Sequence, residues 1–317
     1  MRETMFEISI NKNDSFMRHI YLKQLLASLL LLCTTAVAAQ EFAVNGLCYR
    51  VTDTTDRSVE VIPSFIAKYV DNVTVPQSVT YEGNTYSVTG IGNKAFYQST
   101  ITGITLPNSI KSIGESAFEL CNSLISVTIP NSVVAIGNSA FSYSNKLTSV
   151  TIGNSVVSIG ERAFQNCTVL TDITIPNSVK SIGDYAFAFC SEMESITIGH
   201  GVTSIGKDVF IDCGALQAVY MNDLSAWCRI DFASSSANPL SSAKELYLNS
   251  VLLTELVVPG DITAIKNHAF CGNRKIETVV IHDGVTTIGD GAFSGCAVLK
   301  DIAIPNSVRS VGESAFY

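Results

Sequence analysis

Short alternating triplets recur along the chain: Val127-Thr128-Ile129, Val150-Thr151-Ile152, Ile173-Thr174-Ile175 and Ile196-Thr197-Ile198. Alternation places two side chains on one face and one on the other, which predicts a short strand with its threonine outward. Proline often closes the triplet, at Pro107, Pro130, Pro176, Pro259 and Pro305. It donates no hydrogen bond and ends the strand. A corner such as Asn131-Ser132 or Asn177-Ser178 follows. A second extended piece, such as Ser178 to Ile182, then leads to a glycine. Glycine is expected there for a backbone shape that other residues resist.

Behind each glycine comes an Ala-Phe pair or its equivalent, with Phe at 96, 118, 141, 164, 187, 210, 270, 293 and 316. Subtraction gives steps of 22, 23, 23, 23, 23, 60, 23 and 23. A period in this range predicts a solenoid of coils that bury one continuous core by stacking. Ile-Gly pairs precede it, among them Ile113-Gly114, Ile136-Gly137 and Ile182-Gly183. Three residues after Phe stands Cys121, Cys167, Cys190, Cys213 or Cys296, with Ser99, Ser144 and Asn273 as substitutes. Leu124, Leu147, Leu170, Met193, Leu216, Ile276 or Leu299 comes three residues later. The segment around Ala-Phe is too short for more than one helical turn. Each buried Phe contributes on the order of 1.5–3 kcal/mol. The predicted fold is a β-rich solenoid of coils with a parallel sheet and short helical turns, its strands about 4.8 Å apart.

The run Leu-x-x-Val-x-Ile-Pro-x-Ser-Val-x-x-Ile-Gly-x-x-Ala-Phe-x-x-Cys resembles the BspA-like leucine-rich repeats over Ile91 to Tyr317. The resemblance implies a secreted or surface protein of the kind found in Bacteroidetes and some protists. Several such proteins are associated with adhesion to host matrix or to other cells.

The step of 60 implies 14 extra residues in one repeat, an insertion at about 222–250 with the chain's one tryptophan, Trp227, beside Cys228 and Arg229. Tyr247 is expected in the Phe place and Leu253 in the Leu place of a degenerate coil, and Lys266 stands where glycine is normal. One reading is a protruding loop that contacts a ligand. The other, favoured because a lone aromatic more often packs than binds, is a loop folded back with Trp227 over the core.

Outside the repeat, residues 1–16 read as a misplaced start or extended leader, and residues 17–39 as a signal peptide. The latter has a basic lead from Met17 to Lys23, an apolar stretch from Leu25 to Val37, and small residues ending at Ala38-Ala39. Cys33 follows bulky Leu32, which argues against a lipoprotein signal. No later stretch is apolar and long enough to span a membrane. Residues 40–90 are expected to form a β-rich N-terminal cap, with strands at Phe42 to Val44, Cys48 to Val51 and Val59 to Val61 and a hairpin turn at Asn45-Gly46. The chain stops at Tyr317 midway through a coil, which is read as truncation rather than as an end covered by a neighbour.

The net charge of −8 and pI near 5.0 oppose a nucleic-acid partner. His200, His268 and His282 share no column, and there is no Cys-x-x-Cys or Gly-x-Ser-x-Gly. No catalytic, metal or cofactor residue is therefore assigned. The cysteine column reads as buried free thiols rather than bridges. Glu115, Glu161, Asp184 and Asp290 read as a solvated rim. Exposed aromatics at Tyr97, Tyr143 and Tyr185, with Trp227 and Arg229 of the insertion, are the candidate ligand contacts. The expected function is non-enzymatic binding or adhesion to a protein or glycan of a host or neighbouring cell. The rivals are a secreted hydrolase with its site at the insertion and a structural protein stacking end to end.

Overall fold

The computed structural model describes residues 40–317. The readings of residues 1–39 as leader and signal peptide lie outside the described residues.

Each regular coil carries two strands. The longer ones, Ser126–Thr128, Ser149–Thr151, Asp172–Ile175, Ser195–Ile198, Ala218–Met221 and Glu245–Leu248, line one side of the solenoid. Where they pair they do so in parallel and in register, so that Thr174 lies beside Thr197 and Thr197 beside Tyr220. Two-residue strands such as Ser158–Ile159 and Ser181–Ile182 line another side. They extend an eleven-stranded sheet that begins in the hairpin Glu41–Val44 with Leu47–Asp53, then takes in Ser58–Val61 and Asn84–Ile91. The Asn45-Gly46 turn has both residues left-handed, as a two-residue hairpin requires. Residues 41–91 thus share both sheet and core with the coils.

The core is a column of phenylalanines. Phe96, Phe118, Phe141, Phe164, Phe187 and Phe210 lie flat on one another with centroids 4.9–5.9 Å apart. The column resumes at Phe270, Phe293 and Phe316. All but Phe316 are at most 1% exposed. The period near 23 residues is the length of chain that returns each ring to its place above the last.

The Ala-Phe segment is not a helical turn. Two positions before each Phe, and two after each but the last, the backbone is left-handed, as at Arg162 and Asn166 or Tyr185 and Phe189, with non-glycine φ between 50° and 61°. That conformation costs roughly 1–2 kcal/mol per residue. It directs every second amide toward the next coil: Lys94, Phe96 and Gln98 N–H donate to the carbonyls of Glu115, Ala117 and Glu119 at 2.8, 2.7 and 2.9 Å. The ladder between coils offsets the strain.

The glycines of the Ile-Gly pairs serve a purpose other than the predicted one. Their φ is not left-handed. A Cβ on Gly137 would sit 2.6 Å from the backbone of Gly114, and one on Gly183 2.5 Å from the nitrogen of Glu161. Glycine is present because adjacent coils touch there, backbone against backbone.

The short-strand sheet is interrupted once along the solenoid and the long-strand side more often, with one break at the same level in both. The long-strand sheet ends in an antiparallel hairpin, Glu245–Leu248 with Val251–Leu252, turning at left-handed Asn249 and Ser250. A separate three-stranded sheet starts at Glu255–Val257. The short-strand sheet likewise ends at Asp231–Phe232 and restarts at Ala264–Ile265. Lys266 replaces glycine here because its strand has no partner strand on the side of the break. The extra residues are therefore not one protruding loop. They are divided among the helix Leu224–Cys228, two 3-10 turns over 235–241 and the hairpin.

Candidate interaction surfaces

The insertion folds back. Asp223 caps its helix by accepting from the Ala226 amide at 2.9 Å, which sets Trp227 inward. Trp227 is 1% exposed, packs at a tilt against Phe232 and donates its indole N–H to the Ala269 carbonyl at 2.8 Å. It is core, and its burial keeps it from the ligand contact expected of it. Asn238, also buried, donates to His268 and Ala269 carbonyls at 2.7 and 3.0 Å. Leu240 stands fully buried in the turn that replaces Ala-Phe. Arg229 is at the surface, but its guanidinium is held by Asp261 at 2.6 Å. Hydrogen bonds from Ser225 and Arg229 keep the Asp261 carboxyl below its usual range. This pair ties the irregular coil to the one after it.

The three tyrosines lie on the left-handed turn face but in different columns. Tyr97 and Tyr143 are exposed, with Lys94 over the Tyr97 ring at 5.8 Å. Tyr185 is half-buried beneath Arg162, 5.4 Å from its ring, and a hydrogen bond to Asp208 raises the pKa of its hydroxyl. Phe189 joins them as an exposed aromatic. The structure brings Tyr97, Tyr143 and Tyr185 to one rigid face without gathering them into a cluster.

A further surface joins the outward threonines to two tyrosines at the insertion. Outward positions of the long strands carry Thr128, Thr151, Thr174 and Thr197, then change to Tyr220 and Tyr247. Tyr247 is thus not in the Phe place expected for it; it is a strand residue facing solvent. The two rings stack with centroids 4.9 Å apart. Tyr247 donates its hydroxyl proton to Glu245 at 2.8 Å, and Lys275 pairs with Glu245 at 3.4 Å. The irregular spacing of the insertion concealed the register that puts these residues together.

The thiol column, His282 and two of the rim acids are engaged in structure. In the cysteine column each thiol donates to the phenylalanine carbonyl of the preceding coil, as Cys167 does to Phe141 and Cys190 to Phe164, both at 3.3 Å. Burial raises Cys167 and Cys213 to about 12 and Cys190 well above its ordinary value. The described cysteines are free thiols. His282 accepts from the Gly284 amide through Nδ1 at 2.9 Å, and its Nε2 lies 2.9 Å from the Pro259 carbonyl, closing a corner. Asp184 and Asp290, read as rim acids, each accept an amide of the next coil at 2.8 Å. Among the described residues no group of three or more side chains is placed to hold a metal ion.

The BspA type leucine-rich repeat region matches in six copies over residues 89–218 and 242–317. The chain belongs to that family. The stretch left unmatched between the two blocks is the irregular coil that carries Trp227. Among solved structures, the pneumococcal vaccine antigen PcpA is similar at 19% identity over 87% of this chain and 78% of its own, with a TM-score of 0.47. A leucine-rich repeat protein from Bacteroides ovatus is similar at 22% identity over 87% and 92%, with a TM-score of 0.39. One from T. pallidum is similar at 21% over 83% and 92%, with a TM-score of 0.42. No curated protein matches the chain.

Proposed function

We propose that this family member is an exported, non-enzymatic binding protein whose solenoid surface holds a protein or glycan of a host or neighbouring cell. The observation that carries this reading is the set of exposed aromatics spaced along a rigid turn face: Tyr97, Tyr143 and Phe189 are 39%, 42% and 37% exposed. Large aromatic side chains held in place without a core role are the residues that interfaces favour. The thiols beneath them are buried and bonded to backbone, so the recurring reactive groups serve the stack. The acidic balance favours a partner other than nucleic acid.

Purified protein tested by surface plasmon resonance against matrix proteins and intact cells is expected to bind saturably. The combined Tyr97→Ala and Tyr143→Ala variant is expected to bind more weakly. Lack of binding across a broad panel would remove the reading. Export is tested separately: the mature chain is expected to begin close to Gln40, read by N-terminal sequencing of secreted protein.

A further inference from the structure

We infer that the step between the threonine row and Tyr220 is a binding site for a neutral saccharide chain; this rests on the binding reading above and names a ligand and a place for it. The register sets Thr174 beside Thr197, Thr197 beside Tyr220, and Tyr220 beside Tyr247, all on the outward side of the long strands. Tyr247 stacks on one face of the Tyr220 ring at 26° between planes. Stacking along the solenoid axis turns the other face of Tyr220 toward Thr197, whose side chain is too short to cover it. The result is a riser formed by an aromatic face and a floor of hydroxyls from Thr197, Thr174 and the adjoining Ser195.

A pyranose has the matching chemistry. Its C–H face lies against an aromatic ring by the apolar contact that makes tyrosine useful at interfaces. Its rim hydroxyls both donate and accept, as do those of threonine and serine. A chain of such units can continue across the parallel strands, since each next strand repeats the hydroxyl about 4.8 Å further on.

Charge at the step excludes an anionic ligand: exposed Asp172, across the strands from Ser195 at the edge of the floor, adds a carboxylate that accepts from sugar hydroxyls and repels a second negative charge. Glu245, the carboxylate behind the tyrosine pair, is already engaged by the Tyr247 hydroxyl and by Lys275. Neither partner is left to neutralise an ionic group on a ligand. The same bonds fix the Tyr247 ring, and through it the Tyr220 ring, before any ligand arrives, which reduces the ordering cost of binding.

The test is calorimetric titration of the full protein with neutral oligomers of glucose, mannose, galactose and xylose. At least one is expected to bind. Tyr220→Ala should bind it about tenfold more weakly, the loss of one aromatic contact. Tyr220→Phe keeps the ring face and should bind within a few-fold. Tyr97→Ala, on the turn face, should leave the affinity unchanged. Circular dichroism melts establish that each variant is folded; if Tyr220→Ala is not, Tyr220→Thr, which continues the threonine row and removes the ring, takes its place with the same expected loss and the same overturning result. The inference is overturned if no neutral oligomer binds, or if folded Tyr220→Ala binds as the natural protein does. A protein that holds matrix proteins or cells yet ignores every oligomer overturns this site and leaves the wider binding function standing.

Discussion

The indole of Trp227 donates to the carbonyl of Ala269, 42 residues further along the chain, at 2.8 Å. This contact spans the level at which both sheets are interrupted. With Asn238 it replaces, by side chains, the backbone ladder that joins coils elsewhere. Trp227→Ala should lower unfolding stability by about 3–5 kcal/mol, as loss of a large buried aromatic does. Trp227→Phe should cost less, since Asn238 still serves Ala269. Urea midpoints of the two variants check this. A small effect of the alanine change would mean that the two blocks of coils are held together by other contacts.

Close approach of coils gives a second prediction. Gly183→Ala brings a Cβ within 2.5 Å of the Glu161 nitrogen and 2.8 Å of the Gly160 carbonyl carbon, and backbone cannot swing aside. The expected loss is about 1–3 kcal/mol. Gly214→Ala meets nothing within 4 Å and should stay within about 0.5 kcal/mol of the natural protein. Thermal melts of the two alanine variants side by side separate steric contact from any general effect of replacing glycine.

The solenoid, its phenylalanine column and its thiol column were legible in the sequence because a stacked interior demands the same side chain at the same place in every coil. The left-handed turn residues were not. Lys94, Ser116, Arg162, Tyr185 and Asp208 occupy one such column, and nothing in their side chains signals it. The conformation is imposed by hydrogen bonds to the next coil, so it belongs to the stack and not to the residue. Tyr247 was misplaced for a related reason. Counting by period assumes equal coils, whereas Leu240 in its 3-10 turn and the Asn249-Ser250 hairpin shift the count inside the irregular one. The tyrosine pair that forms the candidate saccharide step became visible only through strand register.

The mixed occupancy of the cysteine column yields a third prediction. Ser144 donates to the Phe118 carbonyl at 2.9 Å, the bond that Cys167 makes to Phe141 one coil later. What the column requires is a small donor. Ser144→Cys should stay within about 0.5 kcal/mol of the natural protein, while Ser144→Ala leaves the Phe118 carbonyl with the Cys121 amide as its donor and should cost about 0.5–1.5 kcal/mol. Equal stability of the two variants, measured by urea unfolding, would show that the hydrogen bond is not what the position selects.

The buried thiols also set a pH dependence. Burial raises Cys167, Cys213 and Cys228 from 9.0 to about 12. Above pH 9 the unfolded chain releases these protons and the native chain keeps them, so the unfolded state gains from rising pH. Their contribution to stability is therefore whole below pH 9 and is lost as pH climbs toward 12. Tyr49, also raised by burial to about 12, declines over part of the same window, so the thiol share must be isolated by substitution. Cys167→Ser keeps a donor for the Phe141 carbonyl and removes one titration. Its unfolding midpoint should fall less steeply across this range than that of the natural protein, and native thiols should resist a disulfide reagent until denaturant is added. Parallel pH profiles for the two proteins would show that Cys167 ionises alike whether the chain is folded or not.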